Sequence, residues 1–228
     1  MNIQQSLAQV RLRIQAAEQH YQRLPGSVSL LAVSKTRPAE DLLQAIAAGQ
    51  SCFGENYLQE ALEKIAALEQ YPLQWHFIGP IQSNKTRPIA EYFDWVHSVD
   101  RLKIAQRLSE QRPTHLPPLN ICLQVNIDGE ASKSGCSLQA LPELVAQVAT
   151  LPGLRLRGLM TIPEPQSEIE QQRKPFCQLR EAMTSLQQQG YELDTLSMGM
   201  SGDLEAAIAE GATMVRIGTD IFGARNYV

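Results

Sequence analysis

Short apolar runs alternate with longer amphipathic stretches along most of the chain. The first run covers residues 29–35, and a continuous apolar run of this kind is expected of a strand buried on both faces. A helical pattern follows between Pro38 and Gly49, with proline near its start and glycine past its end, as helices prefer. Together the two stretches predict one strand–helix unit.

The unit recurs along the rest of the chain to give eight in all. The other predicted strands cover residues 52–54, 75–79, 95–99, 119–127, 154–162, 195–200 and 214–218. The helices between them cover residues 58–68, 88–92, 102–108, 141–149 and 204–209, and a long polar helix runs through Leu179, Met183 and Leu186. Eight such units predict a parallel sheet with right-handed crossovers, closed into a (β/α)8 TIM barrel of the α/β class.

Two further features complete the predicted architecture. An amphipathic helix over residues 3–24 precedes the barrel and ends at Pro25-Gly26. The alternative fold, an open doubly wound sheet, would carry a glycine-rich loop after the first strand, and residues 34–38 contain no glycine. No linker interrupts the pattern, so residues 1–228 are predicted to form a single domain.

Composition and charge narrow the class of function. The 228 residues are 43% hydrophobic and 19% charged with a formal net charge of -4, so the basic surface of a nucleic-acid binder is missing. No stretch has the length of a membrane span, and the first residues lack a signal-peptide pattern. The four cysteines are far apart and give no metal-binding or disulfide pattern. We therefore expect a cytoplasmic protein, monomeric by default, that binds no nucleic acid, membrane or metal.

A lysine stands where the chemistry of such a barrel is expected. Active sites of these barrels lie at the carboxyl ends of the strands. Lys35 ends the first apolar run, so its stem should be buried and its amine partly desolvated. Desolvation lowers the pKa of a lysine and makes its amine nucleophilic. The alternative is a strand-end lysine that reaches into water, which is the usual place for this residue.

Two turns containing glycine and a hydroxyl follow the last two strands. Ser201 and Gly202 stand at the start of a predicted helix, where free backbone N–H groups and the helix dipole favour an anion. Arg216, Gly218 and Thr219 lie at the end of the eighth strand. Loops at these positions often bind phosphate, although an ordinary serine cap and a turn glycine are the alternative.

An amine opposite a phosphate site suits a phosphorylated aldehyde. Pyridoxal 5′-phosphate (PLP) fits this description, because protein lysines hold it as a Schiff base. A sugar-phosphate aldehyde fits the same residues.

Ten sequence blocks, in order along nearly the whole chain, narrow this choice. They are LAVSKT (31–36), FGENY (53–57), WHFIG (75–79), QSNK (82–85), VNI (125–127), KSG (133–135), LMTI (159–162), SMGMS (197–201), VRIGT (215–219) and IFGAR (221–225). With these blocks the chain resembles the pyridoxal phosphate homeostasis protein family, also called the YggS/PROSC family. The loop over residues 128–133 departs mildly from that family, whose members often carry an acidic or serine-rich segment there.

The resemblance implies a barrel related to the N-terminal domain of alanine racemase, with PLP bound at the mouth. The implied residues are Lys35 for the Schiff base; Ser201, Gly202, Gly218 and Thr219 for the phosphate; Arg216 for the pyridine nitrogen; and Asn56, His76, Ser83 and Met198 for the ring pocket. It also implies a carrier that buffers or delivers PLP in vitamin B6 homeostasis, with PLP-dependent apoenzymes as recipients, and that influences amino-acid and keto-acid balance.

Two enzymatic alternatives remain at this point. A PLP-dependent amino-acid racemase needs an acid/base group on each face of the substrate α-carbon. In alanine racemase a tyrosine of a second domain supplies one of them; we expect no such domain here, and Tyr57 and Tyr227 are the candidate substitutes. A class I aldolase usually carries its lysine on a later strand, and residues 154–162 contain none.

Overall fold

The computed structural model describes residues 2–129 and 134–224 and arranges them as a closed barrel. The strands are β1 (Ser29–Val33), β2 (Cys52–Glu55), β3 (Gln74–Phe77), β4 (Trp95–Val99), β5 (Leu119–Gln124), β6 (Leu154–Met160), β7 (Thr195–Ser197) and β8 (Met214–Ile217). Each strand is parallel to its neighbours in chain order, and β8 closes the barrel by pairing with β1. The predicted (β/α)8 barrel is confirmed.

Helices surround the strands and one of them precedes the barrel. They are α1 (Ile3–His20), α2 (Ala39–Ala47), α3 (Leu58–Ala67), α4 (Thr86–Tyr92), α5 (Leu102–Gln111), α6 (Leu141–Val148), α7 (Ile169–Gln188), α8 (Leu204–Ala209) and α9 (Thr219–Phe222), with a 3-10 turn at Ser83–Lys85. The additional helix α1 packs against α8 and α9, where Arg13 pairs with Glu205 and Asp220. Within the described ranges, no helix combines the length and apolar character that a membrane crossing requires.

Several predicted element ends are wrong. Helix α1 ends at His20 instead of residue 24, because the buried Glu18 carboxylate accepts the backbone N–H groups of Gly26 and Val28 and turns the chain into β1. Strands β5 and β7 end short of the predicted residues 127 and 200. Beyond β5 the backbone N–H of Asn126 donates to the Cys136 carbonyl, and beyond β7 the backbone turns at Gly199, whose φ is 97°. The four-residue helix α9 was not predicted.

The strands bury both of their faces. Outward-facing residues such as Phe53, Trp75 and Val96 belong to the main hydrophobic core beneath the helices. Two smaller clusters fill the barrel interior: Leu31, Val33, Ile78 and Met214, and Trp95, Cys122 and Met160. A Cβ on Gly54 would lie 3.1 Å from the Leu31 side chain, so glycine makes room in this interior. The barrel is therefore a packed core, and a ligand has space only at its ends.

Candidate functional site

Seven of the ten predicted site residues meet around one cavity at the carboxyl-terminal mouth of the barrel. The cavity has a volume of about 290 Å³. Its walls are formed by Val33, Lys35, Asn56, Ile78, Ile162, Met200, Ser201, Gly202, Arg216, Gly218 and Thr219. Residues from the first, second, seventh and eighth units therefore face one another here, because closure of the barrel makes β1 and β8 neighbours.

A larger groove of about 890 Å³ lies at the opposite end, between α1 and the first residues of β1 and β2. Its charged residues are engaged in structural hydrogen bonds. Arg11 donates to the Ala48 carbonyl, Arg23 donates to the Ile208 and Ala212 carbonyls, and Glu18 holds the turn before β1. The smaller cavity at the carboxyl-terminal mouth is therefore the better candidate site.

Lys35 lies in the loop that follows β1 and not within the strand. Ser34 continues the sheet by donating its backbone N–H to the Gly54 carbonyl at 3.0 Å. Lys35 is half-buried and its side chain borders the cavity, while Thr36 is exposed. The short extension beyond β1 thus carries the lysine to the edge of the mouth.

The two turns after β7 and β8 present backbone donors to the same cavity. Among the described residues, the backbone N–H groups of Ser201, Gly202, Gly218 and Thr219 have no hydrogen-bond acceptor. The space beside Gly202 is open, because a Cβ there would meet no atom within 4 Å. A Cβ on Gly218 would lie 3.2 Å from the Val33 carbonyl, so glycine allows β8 to approach β1 closely. Converging N–H donors of this kind favour an anion.

Arg216 places a buried guanidinium at the floor of the cavity. Only 3% of the residue is exposed. Its Nη1 donates to the Ser197 hydroxyl at 2.8 Å and its Nη2 donates to the Thr161 carbonyl at 2.9 Å. Burial lowers the pKa of Arg216 to about 10, and the nearby Asp203 carboxylate opposes this shift. The side chain therefore keeps its positive charge at neutral pH.

A chain of hydrogen bonds runs from Arg216 down through the barrel interior. Ser197 Oγ lies 2.7 Å from His97 Nδ1, His97 Nε2 lies 2.9 Å from His76 Nδ1, and His76 Nε2 lies 3.1 Å from Gln74 Oε1. Arginine can only donate and a carbonyl oxygen can only accept, so two neutral histidines between them make every bond point from Arg216 towards Gln74. In that arrangement each ring has its proton on Nε2.

The pKa values of the two histidines agree with this assignment. Burial lowers the pKa of His76 to about 3. The pKa of His97 is also well below its ordinary value, because of burial and then of the charges on His76 and Arg216. This chain of hydrogen bonds therefore fixes the Arg216 guanidinium without adding a second charge to the barrel interior.

Asn56 contributes a polar atom that lacks a partner. Its Oδ1 is buried and accepts no hydrogen bond from any described residue. Its backbone is packed so tightly that a Cβ on Gly79 would lie 2.2 Å from the Asn56 carbonyl oxygen. Because buried polar atoms are normally satisfied, this atom is suited to a polar ligand in the cavity.

Three residues expected in the ring pocket lie outside the cavity wall. His76 is fully buried and reaches Arg216 only through the hydrogen-bond chain. Met198 is fully buried in the main core, and the Ser83 carbonyl accepts hydrogen bonds from Thr86 and Arg107. The apolar wall formed by Val33, Ile78, Ile162 and Met200 was not predicted.

A second compartment adjoins the cavity. It measures about 240 Å³ and shares Asn56, Ile78 and Ile162 with the first. Gln124, Asn126 and Ser134 add polar groups to its wall. A small molecule in the first cavity would thus have room beside it for a second reactant.

Comparison with known proteins identifies the family. The sequence model described as "Alanine racemase, N-terminal domain" matches residues 6–226. A pyridoxal phosphate homeostasis protein of Pseudomonas aeruginosa is 65% identical over 225 residues, covering 99% of this chain and 96% of that protein. Its counterpart in Escherichia coli is 56% identical, covering 99% and 98%. The chain belongs to the pyridoxal phosphate homeostasis protein family.

Solved structures agree with this membership. PipY of Synechococcus elongatus, solved with PLP bound, is 40% identical with a TM-score of 0.85, covering 97% of this chain and all of PipY. Alanine racemase of Corynebacterium glutamicum shares 16% identity with a TM-score of 0.71, and the match covers 95% of this chain but 61% of the racemase. The racemase likeness is one of fold, and the resemblance predicted from the sequence blocks is confirmed.

The neutral histidine chain predicts an acid-sensitive stability. The folded-state pKa of His76, about 3, lies below its ordinary value of 6.5, so the unfolded chain takes up the proton first as the pH falls. The contribution of neutral His76 to the free energy of unfolding is fully present above pH 6.5 and is lost as the pH falls towards 3. Between pH 7 and pH 5 the loss should be about 2 kcal/mol for His76, at about 1.4 kcal/mol per pH unit below 6.5.

Urea unfolding of His76→Gln at the two pH values measures this contribution. Glutamine offers one acceptor and one donor in place of the two ring nitrogens but does not titrate. The variant should lose about 2 kcal/mol less than the wild type on acidification. His115→Gln, at an exposed position, should behave like the wild type. An unaltered pH dependence in His76→Gln would show that His76 is not held neutral.

Proposed function

We propose that this protein binds PLP as a Schiff base on Lys35 and acts in vitamin B6 homeostasis by buffering and delivering the cofactor. The observation that carries the proposal is one cavity bordered by a lysine, a buried arginine and two turns whose N–H groups have no acceptor in the described part of the chain. The name of the curated relatives and the PLP bound to PipY support it. A sugar-phosphate aldehyde has no comparable support.

The residues present fit this cofactor. The chemistry it supplies is an aldehyde, with which the Lys35 amine forms an imine and releases water. The N–H groups of Ser201, Gly202, Gly218 and Thr219 would hold the phosphate, and Arg216 would donate to the pyridine nitrogen. Since an arginine has no acceptor, it would keep that nitrogen unprotonated. Asn56 Oδ1 would gain a polar neighbour. His76, Ser83 and Met198 lie outside the cavity wall, and His76 would act on the site through the hydrogen bonds that link it to Arg216.

A carrier suits this cavity better than a racemase. Racemisation needs an acid/base group on each face of the α-carbon. Within the described residues the wall of the cavity includes Lys35 but no tyrosine, histidine or cysteine. The exposed Tyr57 does not border it, and Tyr227 lies outside the described residues. The fold itself does not decide between the two activities. We propose that no dedicated reaction is catalysed.

Delivery needs an amine that displaces Lys35 from the cofactor. The second compartment beside the cavity offers space for it, and the exposed Gly202 and Thr219 leave the mouth open to water. PLP-dependent apoenzymes, whose own lysines form the same imine, are the proposed recipients. A cytoplasmic, monomeric carrier completes the proposal.

The assignment of Lys35 leads to a direct prediction. Lys35→Ala should abolish the visible absorbance of the imine while the far-ultraviolet circular dichroism stays unchanged, because the residue lies in a loop at the edge of the core. Borohydride reduction of the wild type followed by peptide mapping should place the phosphopyridoxyl label on Lys35. Lys174→Ala, on the surface of α7, is the control and should keep its absorbance. A label on Lys85 or Lys133 instead would refute the assignment.

The proposed phosphate site predicts a charge effect. Ser201→Asp should weaken PLP retention strongly, because its carboxylate would lie directly beside the phosphate and repel it. Ser201→Ala keeps the backbone N–H and should lose far less, and Thr219→Ala should cost about 1–2 kcal/mol of binding free energy if its hydroxyl donates one hydrogen bond to the phosphate. Dissociation constants from fluorescence titration compare the variants. Equal affinity of Ser201→Asp and the wild type would overturn the placement.

The carrier proposal predicts the absence of efficient racemisation. Loaded protein incubated with L-alanine and a panel of other amino acids should exchange its imine slowly and yield no D-isomer in a chiral chromatographic assay. Alanine racemase serves as the positive control. Turnover near ordinary enzyme values, about 1–10³ per second, would instead make the protein a racemase.

A further inference from the structure

The loop that carries Lys35 is held on both sides of that residue by side chains of helix α3 and of the last residue of β2. Before it, the Ser34 hydroxyl donates to Glu55 Oε1 at 2.6 Å, and the Ser34 carbonyl accepts from Lys64 Nζ at 2.7 Å. After it, the Thr36 backbone N–H donates to Glu60 Oε1 at 2.6 Å. Lys35 is thus the middle residue of three, and its two neighbours are both fixed by side chains.

Lys64 is the centre of this arrangement. Its ammonium contacts three acceptors: the Ser34 carbonyl, Glu55 Oε1 at 2.8 Å and Glu60 Oε1. An ammonium has three N–H donors, so its capacity is fully used. Lys64 is 5% exposed and Glu55 is fully buried, which is unusual for charged residues and requires pairing of this kind.

The backbone at Thr36 is in a conformation that needs such support. Its φ of 63° lies in the left-handed region, which is sparsely populated by residues other than glycine and is worst for β-branched side chains. The Thr36 hydroxyl donates to the Lys35 carbonyl at 2.6 Å, and its N–H is held by Glu60. Strained residues of this kind persist where the surroundings over-determine them, and they concentrate at functional sites.

The same loop is also tied to the phosphate side of the cavity. Arg37 Nη2 donates to the Gly223 carbonyl at 2.6 Å and to the Ala224 carbonyl at 2.9 Å, directly after α9. Helix α9 begins at Thr219, one of the residues proposed to hold the phosphate. The position of Lys35 is therefore fixed relative to α3 on one side and to the proposed phosphate site on the other.

We propose that Glu55, Glu60 and Lys64, together the loop clamp, are positioning residues that hold Lys35 in place for imine formation and control the rate at which the cofactor leaves it. The inference rests on the proposed function, because it assumes an imine at Lys35. A lysine kept at the aldehyde recaptures the cofactor before a competing amine displaces it. Loosening the loop should therefore speed the transfer of PLP to an external amine, in keeping with the sensitivity of reactions to small displacements.

Glu60 is the right residue to alter. It is the member of the clamp nearest to solvent, with 29% of its side chain exposed, and its loss leaves the buried Lys64–Glu55 pair intact. Glu60→Ala removes the acceptor of the Thr36 N–H, whereas Glu60→Gln keeps an oxygen there. Glu63→Ala is the matched control, because Glu63 lies on the same helix, is exposed and is hydrogen-bonded only to Gln59 among the described residues.

The rate of PLP transfer from loaded protein to hydroxylamine, followed by the decay of imine absorbance, is the first measurement. We expect about tenfold faster transfer from Glu60→Ala, and rates close to the wild type from Glu60→Gln and Glu63→Ala. The second measurement is amide hydrogen exchange of residues 35–37 in cofactor-free protein, which needs no imine. It should accelerate in Glu60→Ala alone.

The outcomes separate the two proposals. Unchanged transfer from Glu60→Ala contradicts the clamp, even if the loop amides exchange faster. Faster exchange would then show that Glu60 holds the loop but does not control the release of the cofactor from Lys35. Equal acceleration in Glu60→Gln also contradicts it, since the acceptor oxygen would not matter. If the wild type carries no label on Lys35, the proposed function fails instead, and unaltered hydrogen exchange in Glu60→Ala would show independently that the clamp does not hold the loop.

Discussion

The parallel pairing of β1 with β8 is the contact on which the candidate site depends. It sets Leu31 opposite Arg216 and Ala32 opposite Ile217, so two ends of the sequence become adjacent edges of one mouth. The lysine that follows β1 and the N–H groups that follow β8 then border the same cavity. Gly218 favours this close approach, because a Cβ there would lie 3.2 Å from the Val33 carbonyl oxygen. Without closure of the barrel, Lys35 and the N–H groups that follow β8 would not border the same cavity.

Two buried cations near this mouth have different roles because of their partners. Lys64 gives all its donors to acidic and carbonyl oxygens, so it stabilises the loop and has no donor left for chemistry. Arg216 is held instead by neutral groups, Ser197 and the Thr161 carbonyl, and lies in the cavity wall. Its hydrogen bonds go to neutral groups and the Asp203 carboxylate lies nearby, so Arg216 keeps a positive charge that suits a ligand with an electron-rich nitrogen and a phosphate. The two neutral histidines linked to it through Ser197 add no charge of their own beside Arg216.

Much of this arrangement was predictable from the sequence, and the remainder depends on tertiary contacts. The eight-fold alternation predicted the barrel, and the position of Lys35 at the end of an apolar run placed it at the mouth. His76 shows the limit: a strand buried on both faces has no alternating pattern, so the sequence does not tell which of its side chains point to the mouth. No sequence pattern pairs Lys64 on α3 with Glu55 at the end of β2, and only the packing of α3 against the β1 loop makes them a buried pair. Helix α9 was not predicted because its four residues are too few to show a periodic pattern.

A crystal structure of the protein grown with PLP tests the central claim most directly. The account predicts continuous density between Lys35 Nζ and the cofactor, with the phosphate within hydrogen-bonding distance of the N–H groups of Ser201, Gly202, Gly218 and Thr219 and the pyridine nitrogen facing Arg216. PLP bound in the groove between α1 and the amino-terminal ends of β1 and β2, with the carboxyl-terminal mouth empty, would contradict it.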